Sequence, residues 1–339
     1  MRKTACCFLT TLITFFVQLK VDALMSNQEK AQHISKCLQV AILLEVSAEK
    51  PGNVNLNSSF EGTICQHFLT SAIAAGSSFQ EAATRGIEVA ERKLALNEVG
   101  LGEIIKTCTI EVNAWQKGGN TILGTIMLLA PIAIAAGMTV NKSDYSLDLS
   151  ILRKNIDLTI KSTTALDAVH LYEAVEIANP SGLNDAADLD VTDPRSKERL
   201  IKENITLYDV FKIASAYDDI CAEWVNNYPV TFNLSYPYLI EQLKTKPLNT
   251  AVVHTFLKIL SKHPDTFVSR KVGKEKAKEI SHEAKEVLEQ GGLENDLGRK
   301  SLKQFDKKLR LTKNKCNPGT TADLTAAALA LCTLSGFRP

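Results

Sequence analysis

The chain is predicted to be all-α, a single multi-helix, bundle-like domain built around one buried central helix. Three observations carry that prediction. Apolar residues recur at helical spacing along almost the whole chain, alternating strand-like runs are scarce, and no internal repeat or low-complexity linker breaks the pattern. With 339 residues, 45% of them hydrophobic and 23% charged, the chain is long enough to bury a sizeable core.

The elements follow in order. His33–Val46 is amphipathic, and Ser78 with Glu81 has the spacing of a capping box ahead of a helix reaching about Leu96. Leu101–Trp115, Leu147–Ile160, Ala165–Ala178, Leu207–Val225, Leu239–Leu260, Lys274–Glu289 and Asp296–Leu311 carry the same period, and Leu324–Leu334 closes the set. Ile122–Met138 is apolar on every side and contains Gly124, Pro131 and Gly137. Its length is marginal for a membrane span, and its small residues suit close helix packing, so it is the expected central helix, kinked at Pro131. Val230–Leu234 is strand-like but too isolated to build a sheet. Asn179–Arg195, with two prolines and four aspartates, is the longest loop.

The formal net charge is +1, which gives no support for a nucleic-acid or anionic-membrane partner. Residues 1–24 differ from the remainder, 25–339. Arg2 and Lys3 precede an apolar run, and Val21-Asp22-Ala23 resembles a cleavage site. The stretch reads as a secretory signal peptide, or as an extension upstream of a start at Met25. The six cysteines beyond it are widely spaced and include no CxxC, which argues against zinc and for free thiols.

Two glycine-containing segments run straight into apolar helices. Lys117-Gly118-Gly119-Asn120-Thr121 precedes Ile122, and Asn317-Pro318-Gly319-Thr320-Thr321-Ala322-Asp323 precedes Leu324. Each brings hydroxyls and free backbone N–H groups to a helix N-terminus, where the dipole favours anions. A double glycine exceeds what a cap needs and permits close backbone approach to a ligand. Two such segments suggest a ligand with several phosphates. Thr320 and Asp323 also have capping-box spacing. Lys50-Pro51-Gly52 is a turn signature, with Lys50 a candidate phosphate cation and Asn53 a candidate anchor. Asp265 could ligate magnesium or act as a base, and Arg270 could clamp phosphate oxygens. Arg299–Lys315 is a basic amphipathic segment, read as a solvated face with phosphate attraction as the alternative. No P-loop, dinucleotide fingerprint, zinc-protease helix or nucleophile elbow is present, and the histidines are scattered.

Together these motifs resemble the triphosphoribosyl-dephospho-CoA synthase family, in its archaeal-like branch. The resemblance runs through Glu45, Lys50-Pro51-Gly52-Asn53-Val54, Gly118-Gly119-Asn120-Thr121, Asp167-Ala168-Val169 with Tyr172-Glu173-Ala174, Ala178-Asn179-Pro180-Ser181-Gly182-Leu183, Asp265-Thr266 and Asn317–Leu324. It implies an all-α transferase that moves the triphosphoribosyl group of ATP to the 2′-hydroxyl of 3′-dephospho-CoA and releases adenine. It implies magnesium, and a nucleotide site in which Lys50, Gly52, Asn53, Gly118, Gly119, Asn120, Thr121, Arg270, Pro318, Gly319, Thr320 and Thr321 take part. Asp265 and Asp323 are the expected metal or acid–base groups. Such chemistry favours a cytoplasmic protein, hence the start at Met25, and leaves a homo-oligomer open. One departure stands out: Ile122 follows the Gly-Gly-Asn-Thr motif where the family usually has histidine. That leaves open another ribosyl acceptor, or a relative that binds nucleotide without catalysis.

Overall fold

The protein is described here by a computed structural model covering residues 26–140, 145–181, 188–312 and 314–339. Residues 1–24, with their leader reading, and Gly182-Leu183 of the family motif lie outside the described residues. Among those described, every regular element is helical, and no named strand occurs; Asn55 with Ser58 and Phe60 with Thr63 form only isolated bridges.

The chain opens with α1 (Asn27–Ser47), held at its start by a capping box between Ser26 and Glu29. α2 (Cys65–Ala74) and α3 (Gly76–Ala90) follow. The expected Ser78–Glu81 capping box is absent: α3 begins at Gly76, and Ser78 lies buried inside its first turn. α4 (Leu101–Trp115), α5 (Leu123–Thr139), α6 (Leu149–Lys161) and α7 (Ala165–Ala178) match the periodic segments closely. α8 spans Pro194–Lys202, shortening the expected long loop.

Two long periodic runs are broken. Leu207–Val225 divides into α9 (Leu207–Ala214) and α10 (Asp219–Val225), because Asp218 turns its carboxylate onto the Ile220 and Cys221 amides and caps a new helix. Leu239–Leu260 divides into α11 (Tyr236–Leu243) and α12 (Leu248–Leu260) at Pro247, which caps the second piece. Val230–Leu234 falls in a π-helical turn, Thr231–Ser235. It is fixed by buried Glu223, which accepts from the Val230 and Thr231 amides at 2.7 and 2.9 Å. The chain ends with α13 (Thr266–Val272), α14 (Lys274–Glu289), α15 (Asp296–Arg310) and α16 (Gly319–Leu334).

α5 and α16 form the centre. Both are buried over most of their length, and one continuous apolar core surrounds them. α5 runs unbroken through Pro131 and packs against α1, α3, α4, α6, α10 and α16. α16 packs in turn against α1, α12, α13 and the π-helical turn. A small satellite cluster of Val46, Val54 and Cys65, covered by Phe60 and Phe68, supports the connection between α1 and α2. All six cysteines in the described chain are unpaired and buried.

Candidate functional site

The starts of α2, α5, α10, α13 and α16 meet at one end of the molecule, joined by side-chain hydrogen bonds. Thr63, just before α2, donates to the Gly118 carbonyl in the loop before α5 at 2.8 Å. Thr125, in the first turn of α5, donates to Asp323 Oδ1 of α16 at 2.5 Å. The Asp219 amide opening α10 donates to Thr266 Oγ1, which donates to Thr320 Oγ1 at 3.3 Å. Asp265 joins α13 to α16. Its Oδ1 accepts from the Val268 amide, and its Oδ2 accepts from both the amide and the hydroxyl of Thr321, each at 2.7 Å.

The turn after α1 is fastened to the same end. Gly52 has φ +70, and a Cβ there would lie 2.7 Å from Leu309 and 3.2 Å from Pro318. Only glycine therefore fits between α15 and the start of α16. The Gly52 amide donates to Asp306 at 2.8 Å, and Arg310 reaches the Asn53 carbonyl at 2.6 Å while pairing with Asp306. The clasp of Asp306 and Arg310 thus uses two members of the basic segment to hold the 50–53 turn.

Acids are crowded here. Asp323 is pushed up to about 8, first by burial and then by the charges of Glu45, Asp265 and Asp218. Its Oδ2 faces Gly124, where a Cβ would stand 2.2 Å away, so glycine in α5 makes room for the carboxylate. Neither Thr320 nor Asp323 caps α16; both lie inside it, and the capping position is Pro318. Asp219 is pushed up to about 7 by burial, with Asp265, Asp218 and Glu223 adding to the effect. Its carboxylate accepts no hydrogen bond from any described residue. Burial also raises Asp265 and Glu45. Among the described residues no group of three or more His, Cys, Asp or Glu is placed to hold a metal ion.

The two cations singled out in the sequence are already engaged. Lys50 is buried and donates to Glu45 Oε1 at 3.0 Å, to the Glu45 carbonyl and to the Ala48 carbonyl. Arg270 pairs with Asp218. Lys271 beside it lies 3.8 Å over the Phe267 ring.

The loop before α5 has a different character. Gln116 is buried and grips the loop through both side-chain ends, accepting from the Gly118 amide and donating to the Gly119 carbonyl at 2.8 Å. Asn120 Oδ1 accepts from the Leu123 amide, and the Thr121 and Ser71 hydroxyls meet at 2.7 Å. Gly119 and Asn120 are exposed. A shallow cleft beside the loop is lined by Thr109, Asn113, Gln116, Asn120, Thr121 and Ala178 among others. Ile122 is buried in the core, whereas the His67 ring packs against Gly118.

The sequence candidates are therefore brought to one end of the fold, in two groups linked through Thr125 and Asp323. Asp218, Asp219 and Gln116 escaped the sequence reading. The Asp218-Asp219 pair lay inside an apparently continuous helix, although an Asp doublet after Ser215 is itself a cap signal. Gln116 gives no signal by residue type, although its partners Gly118 and Gly119 are near neighbours in sequence; Lys271 is one of the two adjacent bases that follow Asp265.

Comparison with known proteins bears on the family and the fold. A family profile described as CitG, ATP:dephospho-CoA triphosphoribosyl transferase, matches residues 31–338. The crystal structure of an Archaeoglobus fulgidus protein assigned as triphosphoribosyl-dephospho-CoA synthase superposes with a TM-score of 0.57 at 24% identity, covering 80% of this chain and 100% of that one. That likeness carries the fold. Comparison with curated proteins finds no significant match. The family match spans nearly all of the described helices, and the chain belongs to the ATP:dephospho-CoA triphosphoribosyl transferase family.

Proposed function

We propose that ATP is held at this junction of helix starts, with its triphosphate against the N-terminal segment of α16, while 3′-dephospho-CoA presents its 2′-hydroxyl to the ribose. The observation that carries this reading is the meeting of α5 and α16 through Thr125 and Asp323. It sets two helix N-termini, each only partly capped, beside a crowded group of carboxylates. The backbone amide of Thr320 would face a phosphate oxygen, while the Gly319 amide is held by the Asn317 carbonyl, and Gly118, Gly119, Asn120 and Thr121 would form the opposite edge.

In the transfer, the acceptor oxygen forms a bond to ribose C1 as the bond from C1 to adenine nitrogen breaks. The departing electron pair stays on adenine. The hydroxyl loses its proton, and Asp219, whose carboxylate accepts no hydrogen bond from any described residue and which burial pushes up to about 7, suits its acceptance; the net reaction returns a proton to the departing adenine nitrogen. The triphosphate is not cleaved and serves as a handle that orients C1. Positive charge develops on the ribose, and the neighbouring carboxylates stabilise it. Asp265, with both oxygens taken by α13 and α16, fixes the frame in which these groups stand.

Magnesium fits the donor set as it is commonly held, by one or two carboxylates together with phosphate oxygens and water. Asp323 Oδ2, which accepts no hydrogen bond from any described residue, would hold it, with Asp265 close by. When bound, the ion would offset phosphate charge and fix the triphosphate. The substrates place the reaction in the cytoplasm, and no helix among the described residues is long and apolar enough to cross a membrane.

Incubation with ATP, magnesium and 3′-dephospho-CoA, followed by chromatography and mass spectrometry, tests the proposal. Adenine and an acceptor heavier by one triphosphoribosyl unit are expected. ADP or inorganic phosphate in place of adenine overturns it.

A further inference from the structure

Near the start of α16 the described residues leave one cation without an anion and one acceptor without a donor. The Lys271 ammonium makes no hydrogen bond or ion pair with any described residue. It rests 3.8 Å over the Phe267 ring. That ring in turn covers Gly319, where a Cβ would lie 3.0 Å from it. Burial lowers the Lys271 pKa, as does the charge of Arg270, while the nearby charges of Asp265 and Cys316 favour the ammonium. Phe267 thus links Lys271 to Gly319, and Lys271 lies within electrostatic reach of Cys316. In the 316–319 segment Asn317 Oδ1 is shielded from solvent and has no hydrogen-bond partner among the described residues. Lys50 and Arg270, the other basic groups nearby, are already matched to Glu45 and Asp218.

A half-buried ammonium held by an aromatic ring, and a buried amide oxygen left unsatisfied, are both costly unless a ligand completes them. The missing partners are one anion and one hydrogen-bond donor. A phosphorylated sugar supplies both, through a phosphate oxygen and a hydroxyl. We propose that Lys271 and Asn317 form the subsite for the triphosphoribosyl unit, Lys271 on a phosphate oxygen and Asn317 on a ribose hydroxyl. The inference rests on the ATP-site reading given above. It assigns recognition of the transferred group to the short segment before α16 and to α13, and it predicts that ATP and the triphosphoribosylated product are gripped by the same two side chains.

The two contacts separate experimentally, because inorganic triphosphate has the charge of the handle but no hydroxyl. Calorimetric binding of inorganic triphosphate and of ATP to the full chain, with KM for each substrate, is the test. Lys271→Met should weaken both ligands by about tenfold to a hundredfold, and Lys271→Arg should restore most of that loss. Asn317→Ala should weaken ATP by about tenfold and leave inorganic triphosphate unchanged within about twofold. KM for 3′-dephospho-CoA should hold steady in both. Circular dichroism melting of each variant checks that it is folded. Unchanged triphosphate binding in folded Lys271→Met overturns the proposal, as does an Asn317→Ala defect equal for both ligands. Binding is read without turnover. A protein that binds triphosphate through Lys271 but releases no adenine would sink the reaction reading and spare this one.

Discussion

The loop before α5 and the segment before α16 are made of the same kinds of residue, glycine and hydroxyl side chains leading into an apolar helix, but they stand in different surroundings. Gly118–Thr121 is held by neutral groups: Gln116, Ser71, Thr63 and its own Asn120. Pro318–Thr321 lies among Asp265, Asp323, Arg270 and Lys271. The local pattern specifies a helix start with free amides in both cases. The chemistry available at each is decided by elements that arrive from elsewhere: α10 and α13 bring charge to α16, whereas α2 and the end of α4 bring hydroxyls, an amide and the His67 ring to the loop before α5.

The contrast can be broken or sharpened by mutation. The largest effect is expected at Asp323→Asn, which should lower kcat/KM for ATP by about a hundredfold, of the order of 3 kcal/mol in the transition state, with a melting temperature kept or raised. Adenine release gives the rate and calorimetry the melt. A smaller catalytic loss here than at Gln116→Ala would invert the comparison. Gly52→Val comes next. It forces a β-branched side chain into φ +70 against Leu309 and Pro318, and should cost about 2–3 kcal/mol in urea unfolding.

A pH effect follows from the acids. Burial pushes Asp323 up to about 8 and Asp219 up to about 7 in the folded chain, above the usual 3.8 of a free aspartate. Between those limits the folded state holds protons that the unfolded state lacks. Their contribution is complete below about pH 4 and is lost as pH rises to about 8. The ligand-free protein should therefore be more stable at pH 5 than at pH 8, by several kcal/mol, since each group contributes about 1.4 kcal/mol per pH unit below its folded pKa, and Asp323→Asn should flatten the trend. Urea melts at the two pH values decide it; a steeper slope in the variant would refute the assignment. The smallest effect belongs to the neutral loop: Gln116→Ala leaves the Gly118 amide and Gly119 carbonyl without their partner, at a cost of about 1–1.5 kcal/mol. Its catalytic loss should be modest, appearing in KM more than in kcat.

Most helices were legible because burial imposes a 3.6-residue period on the sequence, and α4, α7 and α14 have the predicted limits. What escaped the pattern was interruption. Apolar spacing continues across Ser215–Asp218 and Lys244–Pro247, so the breaks depend on one carboxylate and one proline that override it. α13 has only seven residues, too few for a period to emerge. At the site the glycine segments were visible, but the state of each charge was not. Lys50 and Arg270 looked available because sequence spacing does not reveal that Glu45 and Asp218 already occupy them. Lys271 looked ordinary for the same reason. Pairing is a tertiary property, and it separates the cations that can meet a ligand from those that hold the frame.

The glycine at position 124 has a consequence for how the protein responds to heat and to ligand. By letting a carboxylate press against the α5 backbone, it keeps acid repulsion in the centre of the molecule instead of dispersing it into solvent. A polycation of suitable size, or a nucleotide with its counter-ion, relieves that repulsion only in the native state. Ligand binding then acts as a thermal brace, raising the unfolding temperature with the logarithm of ligand concentration. The resting protein is tuned to be least comfortable when empty, so occupancy can be followed simply by how hot the solution must become before the helices come apart.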